Sequence, residues 1–487
     1  MSVSLVPPLI PTHKIPGLRI YVDRSYAGTA TDRPRTLIVA PCETGASLPT
    51  GLPALVTSLD DVATYCGEGS PMYEACAAYW TAHPTAELWI AWPGDGTTKA
   101  TFTGTLSGTT SAAGTLHLYG NGIHHLAVAI PKSSDATATA ELLETAVDGA
   151  DDFPCTLNNT AGALTFETKF GGVPANFVDL RWNYGGATAG ESTPAGLTLP
   201  TIVAGVAGAT DVSHATLIAA IADDRFDHVV LGYNDTTTIG LWATEIARRW
   251  GDNVMLYSWA SVANKDIIAD LKTWVETHDD WRIQAIGYEA ENPTPPWIIA
   301  ADYGATCEYH RTLGPTGSPH QGVDGYTLGT AVATPKGNRF TKAQRELLLG
   351  YGCATMSTDS SGDVMVELEE ASNGDPIQNT WILKAWNEYK ISELTQPAYR
   401  NKALISDELD PVPAGCMAPK SLRAKYLAMG RVAFERGWFR DYTSYQAGLV
   451  VEPVTGDPDA VAILETPNLA GQLRRINNVV QFTHTAS

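Results

Sequence analysis

DHVVLGYNDTTTIGLWATEIARRWGDNVMLYSWA, residues 227–260, carries the pattern that decides the fold. DHVVLGY (227–233) is a short apolar run bounded by turn residues and reads as a buried strand. Residues 237–250 read as a helix, and VMLYSWA (254–260) returns to strand character. Working outward, the alternation continues on both sides. Downstream come a helix over 264–278, a strand RIQAIGY (282–288) and a helix near 295–310. Within 264–278, Ile267, Ile268, Leu271, Trp274 and Val275 share one stripe, and Asn264 is placed to cap it. Upstream lie a helix over 212–222, LPTIVAG (199–205), ELWIAWP (87–93), two helical pieces in 58–80 broken at Gly67 to Pro71, and RTLIVAP (35–41). Strands alternating with amphipathic helices predict an α/β domain, with a mostly parallel sheet covered on both faces.

A second composition interrupts this pattern. Residues 97–197 are rich in Thr and Gly, with short alternations, a helix over 136–148 and strands near 162–170 and 176–182. Their ends fall between two strands of the α/β pattern, which predicts an inserted β-rich outer domain. Residues 311–338 show no period, as expected of a functional or mobile loop. An α+β segment follows. It has a helix in RFTKAQRELLLGYG (339–352), a strand in DVMVELEE (363–370), helices over 380–394 and 420–437, and an antiparallel pair around TGDPD (455–459). The expected division is an arm over 1–30, an α/β domain over 31–96 plus 198–335, the insert over 97–197, an α+β domain over 336–466 and an arm over 467–487.

Composition excludes several classes. The net charge of −21 in 487 residues argues against nucleic acid, whose phosphates demand a basic patch. No run reaches the ~18 apolar residues that suggest a membrane span. The opening MSVSLVPPLIPTHK lacks a basic region followed by a long apolar run, so folding in a cytoplasm is expected. Seven scattered cysteines without a C-x-x-C pattern read as buried thiols rather than a disulfide framework or zinc site.

Catalytic and cofactor motifs are missing. There is no G-x-S-x-G, no P-loop and no H-E-x-x-H, and GEGSP (67–71) reads as a helix break. His124 and His125 adjoin in a strand, so they point to opposite faces and do not share a metal. A Ser/His/Asp set built from Ser318, His310, His320, Asp302 and Asp324 has only sequence proximity behind it. Glu367, Glu369 and Glu370 read as a solvated strand edge. The basic stripe Lys420, Arg423, Lys425, Arg431 and Arg436 reads as a solvated helix face or as a docking surface for an acidic partner. No cofactor, metal or enzyme activity is expected.

The two ends carry the remaining signal. GLRIYVD (17–23) alternates Leu18, Ile20 and Val22 with Arg19, Tyr21 and Asp23, the period of a strand beside flexible residues. GQLRRINNVVQF (471–482) places Ile476, Val479, Val480 and Phe482 after the plausible linker PNLAGQ (467–472). Each end either pairs within its own subunit or leaves to pair with a neighbour.

The order of these pieces resembles phage contractile tail sheath proteins of the Mu-like branch. IPGLRIYVDRSYAG and RPRTLIVAP resemble the branch's opening PGVYVE…R…LLIG pattern. YCGEGSPMYEACAAYWTAHPTAELWIAWPGD (65–95) resembles its G.GS.L..M..A....NP..ELW...L.D pattern. TFTGTLSGTTSAAGTLHLYGNGI, FVDLRWNYGG, EIARRWG, PPWIIAA, RFTKAQRELLLGYG and LRRINNVVQF extend the match over nearly the full chain. The segment ASNGDPIQNT (371–380) is shorter than in that branch.

The resemblance implies a subtilisin-like α/β domain without protease activity. It also implies arms that add strands to neighbouring subunits' C-terminal domains. Leu18, Ile20, Tyr21 and Val22 would anchor one arm; Ile476, Val479, Val480 and Phe482 the other. Gly17 and Gly471 are the expected hinges, and Lys420, Arg423, Lys425 and Arg431 the expected tube-facing residues. The implied partners are further copies of the chain in stacked rings, an inner tail tube protein, and baseplate and tail terminator proteins. The implied role is assembly in the host cytoplasm into a virion tail, in an extended metastable state that contracts for genome ejection. A static tube or surface-layer protein is the competing reading and would form one lattice, never two. An α/β hydrolase is the weaker competitor.

Overall fold

The computed structural model describes residues 34–312, 318–396 and 401–481. Its centre is a six-stranded sheet ordered Ile283–Glu289, Trp259–Asp266, His228–Leu231, Arg35–Val39, Glu87–Ala91, Ala54–Val56. The first five strands are mutually parallel and the last is antiparallel. Period-2 geometry sends Leu37 and Val39 to one face and Ile38 and Ala40 to the other. Both faces are covered, so all four residues are fully buried and the strand reads as one apolar run.

One face packs against Leu217, Ile239, Trp242, Leu271 and Trp274 from three helices. The other packs against helices Pro71–Ala82 and Pro296–Thr312. Local chemistry sets the helix starts. Ser58 and Asp61 form a capping box, and Ser70, Asp135 and Asp235 accept from the first-turn amides of their helices. The break in GEGSP follows from Gly67, whose φ of +84° suits glycine; a Cβ there would lie 2.3 Å from the Glu43 carboxyl carbon.

Two elements differ from expectation. The strand expected over 254–260 runs over Trp259–Asp266, and the next helix begins at Ile268 rather than 264. Asn264 therefore caps nothing; it sits in the strand and accepts from Asn234 Nδ2 at 2.9 Å. LPTIVAG contributes only Val203–Ala204, which pairs antiparallel with Lys99–Thr105 and not with the central sheet.

The inserted segment forms three antiparallel sheets among the described residues, the smallest pairing Ser107–Gly108 with Leu197–Thr198. One of the larger two is Leu180–Trp182, Gly114–Gly120, His124–Ile130; the other is Val203–Ala204, Lys99–Thr105, Ala163–Gly171, Cys155–Thr160. Helix Ala136–Asp148 spans the expected 136–148. Its core residues Leu116, Leu118, Phe166 and Phe170 are continuous with the helix-covered core of the central sheet. Glu74 clamps the junction. It is 3% exposed and accepts from Asn121 Nδ2 at 2.8 Å, His124 Nε2 at 2.7 Å and Trp297 Nε1 at 2.6 Å.

The aperiodic stretch near 318–338 is tethered. The buried Asp302 carboxylate accepts from the amides of Gly329, Thr330 and Ala331, and Val323 and Leu328 are buried. A separate apolar cluster unites Ile382 and Trp386 of helix Ile377–Leu394, Tyr426 and Met429 of helix Pro419–Glu435, and Phe439 and Tyr445. The hairpin Val450–Pro453/Val461–Leu464 pairs antiparallel around TGDPD, as expected.

Candidate assembly interface

The most enzyme-like arrangement lies inside the core. Ser261 Oγ is 2.9 Å from His228 Nε2, and His228 Nδ1 is 2.9 Å from the Tyr79 hydroxyl. Thr36 Oγ1 is 3.0 Å from Tyr79 and 3.3 Å from both oxygens of Glu308. Ser261 and His228 are 0% exposed, and Ser261 Oγ is also 3.0 Å from the Ala300 carbonyl. His228 is sandwiched on Trp259 at 3.8 Å, and burial drives its imidazole well below its ordinary range. Burial likewise pushes Glu308 up to about 8. The set is a neutral polar seam between the sheet and helix Pro296–Thr312, with no face for a substrate. Sequence reasoning missed it because its members are dispersed from Thr36 to Glu308 with no local motif. The Ser318-centred set has other employment: Asp302 is consumed by residues 329–331, and His310 stacks on Tyr326 at 3.5 Å.

The surface that remains is the C-terminal segment. Beyond the hairpin the chain runs extended along its own body. Phe439 bridges Leu469, Arg440 N donates to Asn468 O at 2.8 Å, and Ala470 N donates to Trp438 O at 2.9 Å. Gln472 Nε2 donates to Glu369 at 2.9 Å, Arg474 to Glu370 at 2.7 Å, and Arg475 lies 3.5 Å from Glu346. There the ties end. Ile476, Val479 and Val480 are 80%, 82% and 76% exposed, and no strand among the described residues pairs with them. Phe482 lies outside the described residues, as do Gly17, Leu18, Ile20, Tyr21 and Val22.

The acidic run at 367–370 corrects the solvated-edge expectation. Glu369 is 0% exposed and ion-paired with the equally buried Arg311. Glu370 is 6% exposed and bound by Arg474, and Glu367 binds Arg345 at 2.6 Å. Burial pushes the Glu370 carboxyl up, and Arg474 pulls it back part of the way. These carboxylates are the socket for the root of the terminal segment. Gly471 sits between the ties at Ala470 and Gln472, and a Cβ there would meet nothing within 4 Å.

The basic stripe is internally engaged. Lys420 Nζ donates to the carbonyls of Asp407 and Leu409, both at 2.9 Å, and Arg423 to Gln446 O at 3.3 Å. Lys425 pairs with Glu393 at 2.5 Å, and Arg431 pairs with Glu435 while lying 5.5 Å from the Tyr442 ring centre. Of the four, Arg431 is exposed and the others are half-buried. The nearby hairpin Val450–Pro453/Val461–Leu464 is two-stranded, so its outer edges pair with no strand among the described residues, and Val450 and Leu464 are exposed. Such edges accept an added strand.

No family model matches the chain. Among curated proteins it is similar to the Mu-like prophage FluMu tail sheath protein of Haemophilus influenzae. The two are 23% identical over 474 residues, covering 94% of this chain and 95% of that one. Among solved structures it is similar to the sheath tail protein Lin1278 from Listeria innocua, with 12% identity, TM-score 0.47 and coverage of 91% and 93%. It is also similar to the anti-feeding prophage helical sheath in its contracted state, with 10% identity, TM-score 0.44 and coverage of 97% and 100%. At these scores structural likeness assigns nothing by itself. The sequence relation agrees with the resemblance read from the motifs.

Proposed function

We infer that the chain is a structural subunit of a contractile tail sheath of the Mu-like kind. The observation that carries this reading is the relation to a tail sheath protein along nearly the full length of both chains. The α/β body corresponds to the subtilisin-like domain of such subunits, with its polar seam turned into core packing rather than catalysis. Copies of the chain stack as rings around an inner tail tube, between a baseplate and a tail terminator, and the assembly forms in the host cytoplasm as part of a virion.

The exposed terminal strand supplies the linkage. Pairing of some six residues gains about 1 kcal/mol net per hydrogen bond. Ordering those residues costs roughly 1–2 kcal/mol each. Main-chain pairing thus breaks even, and the apolar side chains decide at about 1.5–3 kcal/mol per large residue buried. Ile476, Val480 and Phe482 fall on one face of a strand and are the anchors; the edges of the hairpin Val450–Pro453/Val461–Leu464 are the receiving site. Leu18, Ile20, Tyr21 and Val22 serve the other arm. Arg431 and the exposed rim of its helix face the tube, and the remaining basic residues hold the C-terminal unit together.

Electron microscopy of the purified protein tests the reading. Tubular polymers in two lattices, one long and narrow and one short and wide, are expected. A single lattice under every assembly and triggering condition would overturn the contractile assignment, and monomers alone at high concentration would overturn the sheath assignment.

A further inference from the structure

The inserted segment carries a cluster that the sheath role leaves unused. On the hairpin Gly114–Gly120/His124–Ile130, His125 lies opposite Tyr119, and His117 is two residues from Tyr119 on the same face. His124 turns the other way, to Glu74, so the outward partner of His125 is His117 and not its sequence neighbour. The His125 ring stacks on Tyr119 at 4.4 Å and on His117 at 5.1 Å.

A loop from the far side completes the group. Gly186 and Gly190 have φ of +64° and +78°, which lets residues 183–191 curl so that Glu191 faces the two rings. Glu191 N donates to Gly186 O at 3.1 Å, and its Oε2 accepts from Gly185 N at 2.8 Å. The other oxygen, Oε1, accepts from the Tyr119 hydroxyl and lies 3.9 Å from both His117 Nδ1 and His125 Nε2. The tyrosine and the amide thus fix the orientation of the carboxylate.

The two ring nitrogens are 2.9 Å apart. The only point about 2.1 Å from all three atoms lies in their plane, so an ion with a further ligand sits just out of that plane and reaches Zn–N and Zn–O bond lengths after a small side-chain shift. A hydrogen bond between two imidazoles would account for the short contact alone. It would not account for a carboxylate held equidistant from both nitrogens by a tyrosine and a backbone amide, which is how metal ligands are oriented. Two imidazoles and a carboxylate, with no thiolate, suit zinc and its neighbours rather than calcium or magnesium.

We propose that His117, His125 and Glu191 bind one zinc-class divalent cation, with a further coordination position open to solvent. The ion ties the loop 183–191 to the hairpin face. His125, 40% exposed in its side chain, gives the entry path.

The test uses tag-free, full-length protein stripped with chelator and titrated with Co2+ as the spectroscopic probe. One Co2+ per chain is expected, with visible d–d bands, no thiolate charge-transfer band in the near ultraviolet, and loss of colour on adding Zn2+. His125→Ala abolishes the bands with unchanged circular dichroism, and Glu191→Gln weakens apparent affinity by at least about tenfold. Zn2+ slows proteolysis within 183–191 in the parent protein and not in His125→Ala. A colourless titration, a thiolate band, or bands that persist in both variants would each overturn the proposal.

Discussion

Consider the double substitution Ile476→Ala, Val480→Ala. Both side chains are displayed to solvent, at 80% and 76% exposure, so an isolated subunit has almost nothing to lose. Surface substitutions of that kind shift stability by no more than about 0.5 kcal/mol. If the strand is lent as proposed, the same two side chains are buried against a neighbour in the polymer. Ile→Ala removes three carbons and Val→Ala two, at about 0.8 kcal/mol per buried methylene, so about 4 kcal/mol is lost per lent strand. A loss of that size weakens each link about a thousandfold. The assay is paired: thermal unfolding of the subunit, and sedimentation with electron microscopy for tubes. The expected result is an unchanged melting temperature with no tubes at concentrations where the parent protein polymerises fully. Tubes in normal yield, or a destabilised subunit, would refute the idea that these residues are held in reserve for a neighbour.

Other perturbations probe the body. Glu308 is pushed up to about 8 by burial, so it favours the folded state fully below about pH 4.3, the unfolded carboxyl value, and that contribution fades as pH rises towards 8. Glu308→Gln keeps the shape without the charge; unfolding free energy should lose this pH slope and exceed the parent's by a few kcal/mol near pH 8.5. At His124, burial lowers the imidazole, but Glu74 and Asp152 raise it more, so its stabilising pairing is complete below about pH 6.5 and is lost as pH climbs through the raised folded value. His124→Gln should cost about 1–3 kcal/mol at pH 6 and much less at pH 9, read by hydrogen exchange across residues 114–130. Arg474→Ala frees the root of the terminal segment at a cost of about 1–2 kcal/mol and should speed proteolysis after Gly471 without lowering the melting temperature.

Where sequence and structure agree, the signal was local. LIVA (37–40) is apolar without interruption because this part of the strand is covered on both faces. Helix Ala136–Asp148 carries its own cap in Asp135. The opposite faces of His124 and His125 follow from strand geometry alone. Where they part, a distant partner decided. A strand buried on both sides has no alternation to mark its ends, so the sequence pattern sets Trp259–Asp266 five residues early, and its polar end NKD reads as a helix start. Those polar residues are tolerated because Asn264 meets Asn234 and Lys265 donates to Asn292 O at 3.2 Å. Glu369 and Glu370 read as solvated because their cations, Arg311 and Arg474, come from 58 and 104 residues away. The same distance hid the His117, His125, Glu191 cluster, whose carboxylate arrives on a separate loop.

The placement of the ties also bears on where a lent strand pivots. A rotation between two subunits must be absorbed between the last bond to the donor and the first bond to the acceptor. Gly471 lies inside the donor's own bonds, flanked by Ala470 and Gln472, and a methyl group added there meets nothing. Its φ lies outside the left-handed region that would reserve the position for glycine. Among the described residues the last contacts are Arg474 to Glu370 and Arg475 to Glu346, so a lent strand is expected to pivot at Arg475–Ile476, four residues beyond the glycine that the sequence suggests. Two variants separate these positions. Gly471→Ala should polymerise and contract as the parent does. Inserting Gly-Ser after Arg475 keeps alternate side chains on their faces while lengthening the tether by about 7 Å. Tubes of that variant should assemble yet contract piecemeal, because slack lets one ring turn before it pulls the next. If Gly471→Ala blocks contraction and the insertion leaves it uniform, the rotation is taken up at the glycine and the Glu369–Glu370 socket is not what holds the strand's root.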